Sequence, residues 1–154
     1  MADVLTPIQR SFNMSRIRGK DTKPEMLLRR GLHARGLRFR LHRKDLPGRP
    51  DIVLARYRAA IFVHGCFWHN HGCPLCTVPT TRAEFWIQKL QANRERDRIA
   101  LATLADAGWR VLTIWECATR GEGKIPLPVL LDTVEGWVAS GEVQTEISGQ
   151  PKLK

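Results

Sequence analysis

The chain has 154 residues, 43% of them hydrophobic, which suits one globular domain with a real core and no need of disulfides. No apolar run reaches the length of a membrane helix and no apolar leader opens the chain, so the expected setting is the cytoplasm, where four cysteines stay reduced and favour metal over disulfide. The net charge of +10 is uneven: residues 1–50 hold 13 Lys/Arg against 4 Asp/Glu, and the remainder is close to balanced. A basic first third points to a polyanion such as nucleic acid.

Residues 1–20 carry Arg10, Arg16, Arg18 and Lys20 with isolated apolar Phe12, Met14 and Ile17, and read as a flexible arm that orders on a partner. Thr22-Lys-Pro-Glu25 is a capping box, opening a helix that should run to about Arg35 with Gly36 as its stop. Leu37 to Leu41 alternates apolar and basic residues, as a half-exposed strand does. After the turn at 46–50, the runs Asp51–Ala55 and Ala59–Val63 flank Arg56-Tyr-Arg58 and predict a β-hairpin. Pairing centred on Tyr57 sets Asp51 opposite Val63, so Asp51 and the Val63–His64 segment should meet at the open end.

The segment from His64 to Cys73, His-Gly-Cys-Phe-Trp-His-Asn-His-Gly-Cys, holds three of the five histidines and two of the four cysteines. Thiolate and imidazole suit zinc in a tetrahedral site, and Cys66, His71, Cys73 and Cys117 would make one set. Cys76 is an alternative fourth ligand in place of Cys117, and Cys73-Pro-Leu-Cys76 also has redox spacing, although no thioredoxin-like strand precedes it. Thr81-Arg-Ala-Glu84 is a second capping box, opening a helix to about Ala107. Trp109 to Trp115 reads as a buried strand, with Glu116-Cys117 at its exit, and a last helix covers about 127–138. The expected architecture is an α/β fold: arm 1–20, one domain over 21–140 built on a mixed sheet flanked by helices, and a loose tail over 141–154.

A Pro-Asp opening one hairpin strand, with functional groups at the end of its partner strand, resembles a metal-dependent nuclease core. The second strand ends Phe62-Val63-His64, without the usual acid and lysine, so histidines must replace them. The longer motifs then carry a specific likeness: Pro-Gly-Arg-Pro-Asp51, Phe62 to Cys73, Thr81-Arg-x-Glu-Phe-Trp86, Asn93-x-Glu-Arg-Asp97 and Gly108 to Cys117. Over residues 8–138 the chain resembles the very-short-patch repair endonuclease family. That resemblance implies a restriction-endonuclease-like fold, a structural Zn2+, a catalytic Mg2+, and nicking of one DNA strand beside a T:G mismatch left by deamination of 5-methylcytosine.

By position, Asp51 and the main-chain carbonyl of Val63 would hold magnesium; the family often has Thr at 63. His69 would act as general base, His64 would orient the metal's water shell or the phosphate, and Glu25 would support the site. Phe67, Trp68 and Trp86 would wedge into the base stack next to the mismatch, with Met14 and Ile17 entering from the opposite groove. Trp109, Trp115 and Trp137 read as core, and His33 and His42 as surface. The resemblance also implies a monomer on nucleoid DNA, assisted by a MutL-type protein. Two other classes fit parts of the pattern: a zinc-dependent DNA-binding module without catalysis, and a nuclease of the same core acting in restriction.

Overall fold

A computed structural model describes residues 6–9 and 21–150. Met14, Ile17 and most of the basic arm therefore lie outside the described residues. Among them the elements are α1 (Lys23–Ala34), β1 (Arg40–Leu41), β2 (Ile52–Leu54), β3 (Ala59–His64), α2 (Ala83–Asp106), β4 (Arg110–Trp115), α3 (Leu127–Ser140) and β5 (Gln144–Ile147). They build one five-stranded sheet in the order β1-β2-β3-β4-β5. The first three strands are antiparallel, and β4 and β5 run parallel to β3. No helix among the described residues is long and apolar enough to cross a membrane.

Both faces of the sheet are covered, which is why the strands read as unbroken apolar runs instead of alternating ones. Successive side chains of β3 point to opposite sides. Ala59 and Ile61 pack with Leu28 and Leu32 of α1 and with Leu130, Val134 and Trp137 of α3. Ala60 and Phe62 pack instead with Leu104 of α2 and with Trp109. The same alternation puts Val63 on the α1 side and leaves His64 on the α2 side, a division that decides what each can touch.

α1 starts as expected: Thr22 Oγ1 accepts the Glu25 N–H at 3.4 Å, and Gly36 past the end has φ 87°. The reciprocal half of the capping box differs, because the Glu25 carboxylate accepts from Asp21 N–H, one residue before the cap. The second capping box does not form. Arg82 is the N-cap of α2, in a left-handed conformation without a side-chain bond.

The hairpin register is one step from the expected one. Ile52 faces Ile61 and Leu54 faces Ala59, so the pairing is centred between Arg56 and Tyr57. Ala55 leaves the strand to join a 3-10 turn over Ala55–Tyr57, and Arg58 closes it at φ 48°. Residues 37–39 are not strand, since β1 contains only Arg40 and Leu41. The expected loose tail contains β5, whose pairing satisfies the outer edge of the buried strand β4.

Candidate active site and metal centre

Asp51 stands just before β2, largely buried, and its Oδ2 accepts the Val63 N–H at 2.7 Å. The two expected neighbours thus meet through the side chain, although the ladder itself is shifted. Glu25 comes in from the first turn of α1 and is 1% exposed. Arg29, one turn further on, sits 3.4 Å from the Glu25 carboxylate and 2.7 Å from that of Asp21. Burial pushes Asp51 up to about 7, and the charge of Glu25 adds to the rise, against the hydrogen bond from Val63 and the charge of Arg29. A buried carboxyl group raised in this way, with a second carboxylate beside it, marks a place where a cation is favourable.

His64, at the end of β3, is buried. Its ring lies flat on that of His69, centroids 3.7 Å apart and planes within 4°. Burial, with the adjacent His69, brings the His64 imidazole down to about 3, so it is neutral at any working pH. His69 is held from the other side by α2: its Nδ1 is 2.5 Å from Asp97 Oδ2. A carboxylate there accepts from Nδ1–H, which leaves the lone pair on Nε2. Asn93, one turn before Asp97, donates to the Trp68 carbonyl at 3.0 Å and ties the same loop to the same helix.

The donor atoms of Cys66, His71, Cys73 and Cys117 all lie within 4.8 Å of one another. Cys117 Sγ is 3.7 Å from His71 Nδ1, and ligands about 2.0–2.3 Å from a tetrahedral zinc stand at such spacings. Supporting bonds surround the set: Cys117 N–H points to Cys66 Sγ at 3.3 Å, and Gly149 N–H to Cys117 Sγ at 3.1 Å. The His71 ring stacks on Trp115 with centroids 4.1 Å apart. Without metal, burial holds the Cys66 thiol far above its usual range. Cys76 sits 3.8 Å from Cys73, but its sulfur is engaged by Gly72 N–H at 3.3 Å and the Cys66 carbonyl at 3.0 Å.

Phe67, Trp68 and Trp86 form one cluster with ring centroids 5.1–6.0 Å apart. They are only partly buried, and Lys89 Nζ hangs 5.8 Å from both tryptophan rings. Phe67 and Trp68 also line a groove of about 890 Å³ that reaches Val63, His64 and His69, with Lys23 and Arg120 on its walls. Trp109, Trp115 and Trp137 are buried in the core.

The family model of DNA mismatch endonuclease Vsr matches residues 2–75. The DNA mismatch endonuclease Vsr of Escherichia coli (strain K12) is 46% identical over 150 residues, 97% of this chain and 96% of that protein. The chain belongs to the Vsr family. The Type II nicking enzyme V.XorIIP of Xanthomonas oryzae pv. oryzae is 51% identical over 76% of this chain and 86% of its own length. V.NmeAIP, a Type II nicking enzyme of Neisseria meningitidis serogroup A, is 40% identical over 79% of this chain and 87% of its own. As a Vsr family member the protein is a DNA endonuclease.

Within this candidate site the structure brings together Glu25, Asp51 and Val63 on one side, and His64 and His69 on the other. Asp97 carried no role in the sequence reading. The signal existed, however: Leu90, Asn93, Asp97, Leu101 and Leu104 share one helical face, an apolar stripe broken by two polar residues. His42 needs correction as well. It is not a free surface residue but lies against Glu25, its Nε2 3.0 Å from Oε2. His33 is exposed, as expected.

Proposed function

We infer that this protein nicks one strand of duplex DNA beside a T:G mismatch arising from deaminated 5-methylcytosine, by Mg2+-dependent hydrolysis that opens very short patch repair. The observation that carries the reading is the His69–Asp97 pair at 2.5 Å, stacked on neutral His64 at the end of the strand that also bonds Asp51. A DNA-binding module needs no such arrangement.

Asp51 and the main-chain carbonyl of Val63 would hold the magnesium, oxygen donors suited to a hard cation, with Glu25 beside them. When bound, the ion supplies charge stabilisation for the attacking and leaving oxygens. His69 Nε2 takes the proton from the attacking water as its oxygen bonds to phosphorus and the strand's P–O bond breaks. Asp97 fixes the tautomer that leaves Nε2 free and stabilises the imidazolium formed. His64, neutral and packed on His69, orients the phosphate and adds no repelling charge.

Cys66, His71, Cys73 and Cys117 hold Zn2+ as a closed structural set, which fixes the loop that bears His69. Phe67, Trp68 and Trp86 enter the base stack, where separation is cheapest at a mispaired step. The restriction-endonuclease-like character of the fold, monomeric action on nucleoid DNA in the cytoplasm, a DNA-binding arm over residues 1–20 that includes Met14 and Ile17, and assistance from a MutL-type protein belong to the same reading. Incubating purified protein with labelled T:G and C:G duplexes, with and without Mg2+, tests it. Nicking of the T:G duplex alone, and only with Mg2+, is expected; equal cleavage of both, or binding without nicking, overturns it.

A further inference from the structure

Beyond the end of β1 the backbone turns at His42, where φ is 48° and the N–H donates to the Asp51 carbonyl at 3.3 Å. The imidazole falls among three carboxylates. Nε2 lies 3.0 Å from Glu25 Oε2 and 3.5 Å from Asp21 Oδ1, and Nδ1 lies 3.8 Å from Asp51 Oδ1. Nε2 is buried, and among the described residues it makes no aligned hydrogen bond. A buried nitrogen that faces two carboxylate oxygens without an aligned hydrogen bond to either suits a cation held between them. Adjacent ligands of a six-coordinate ion, with bonds of roughly 2.1 Å, stand about 3.0 Å apart, which matches the spacing of Nε2 and Oε2. The donor atoms of Asp21, Glu25 and His42 are all within 4.8 Å of one another. Arg29 neutralises part of the acidic charge, yet three carboxylates converge here against that one guanidinium.

We propose that His42 is a metal-ligand residue of the cleavage site: its Nε2 joins Asp21 and Glu25 in a divalent-cation site beside Asp51, and biases that site toward ions that accept nitrogen. This rests on the proposed nuclease role of Asp51 and Glu25, and adds to it the preference among ions. Oxygen donors alone suit Mg2+ and Ca2+, whereas an imidazole ligand favours first-row transition ions, so Mn2+ gains over Mg2+.

The test uses the full-length, zinc-loaded protein without DNA. Mn2+ binding is followed by electron paramagnetic resonance, and Mg2+ binding by competition. In His42→Ala, Mn2+ affinity should fall about tenfold or more and Mg2+ affinity less than about threefold, the scale of losing one ligand-sphere group. The bound Mn2+ should show nuclear modulation from a coordinated 14N that disappears in the variant. His42→Gln, which keeps size and polarity, should lose the same signal and so separates ligation from damage to the fold. Persistence of the 14N signal in both variants, or equal loss of both ions, overturns the proposal. Asp51→Ala distinguishes the two readings: if it still nicks T:G DNA, the nuclease assignment fails, whereas its inactivity beside an unaltered Mn2+ preference in His42→Ala sinks only the role of His42.

Discussion

Replacing Asp97 by Asn tests the active site most directly, because the change keeps shape while reversing one hydrogen bond. The Asn amide can donate to His69 Nδ1, which moves the ring hydrogen to Nε2 and leaves no lone pair for the attacking water. The pair is partly exposed, 28% for His69 and 26% for Asp97, so solvent screening reduces its strength. A charge-assisted bond contributes about 1.5–3 kcal/mol before that discount, which at 1.4 kcal/mol per decade limits the loss to roughly 10- to 100-fold in rate. His69→Ala removes the base itself and should cost more, ~10²–10⁴-fold. Single-turnover nicking of a T:G duplex at saturating enzyme and Mg2+ reads both numbers, and fluorescence anisotropy checks that DNA affinity is unchanged. Since the two residues act as one unit, the double variant should be no slower than His69→Ala alone. Parent-like nicking by Asp97→Asn, or losses that multiply in the double variant, would refute the pairing as the source of the base.

Other perturbations separate the remaining parts. Cys117→Ser should lower zinc content, measured by metal analysis, and reduce the melting temperature, whereas Cys76→Ser should leave both nearly intact; equal zinc loss in the two would overturn the ligand set. Deleting residues 1–20 removes Arg10, Arg16, Arg18 and Lys20 and should flatten the slope of log affinity against log salt by up to about 3 to 4, with no change meaning that the arm does not contact phosphates. Phe67→Ala or Trp86→Ala should lose about 1–3 kcal/mol of binding preference for T:G over C:G duplexes, the scale of one stacked base. Asp51, raised to about 7 mainly by burial, holds a proton below that pH which Mg2+ must displace. The half-saturating Mg2+ concentration should therefore rise up to about tenfold from pH 7 to pH 6 and level off above pH 8, and a flat profile across that range would contradict the assignment.

Local chemistry made much of this molecule legible. The Thr22 cap, the glycine after α1, the two apolar hairpin runs and the dense His/Cys loop each carry their own signal, and the chain folds accordingly. The errors arose where distant parts decide. Ala55 is apolar and continues a strand-like run, but it joins the 3-10 turn that Arg58 closes in the left-handed position. Glu84 fits a capping box, yet Arg82 begins α2 with its backbone instead. Gln144-Thr-Glu-Ile147 has no apolar alternation, and becomes strand because β4 offers an unpaired edge. His42 is a lone histidine in a polar stretch, and only the turn of its own backbone carries it to Glu25. Asp97 was visible within a motif but acquires a role only when α2 is laid against the loop.

Gly149 gives the metal centre a place in time. Its N–H reaches Cys117 Sγ at 3.1 Å, and a side chain there would meet the Cys117 carbonyl oxygen at 2.3 Å, so no other residue fits without displacing backbone. During synthesis the loop with Cys66, His71 and Cys73 leaves the ribosome first, then Cys117, and the glycine that closes over it only later still. A growing chain thus carries the loop of His69, the proposed base, without its Cys117 and Gly149 contacts until these downstream residues have emerged.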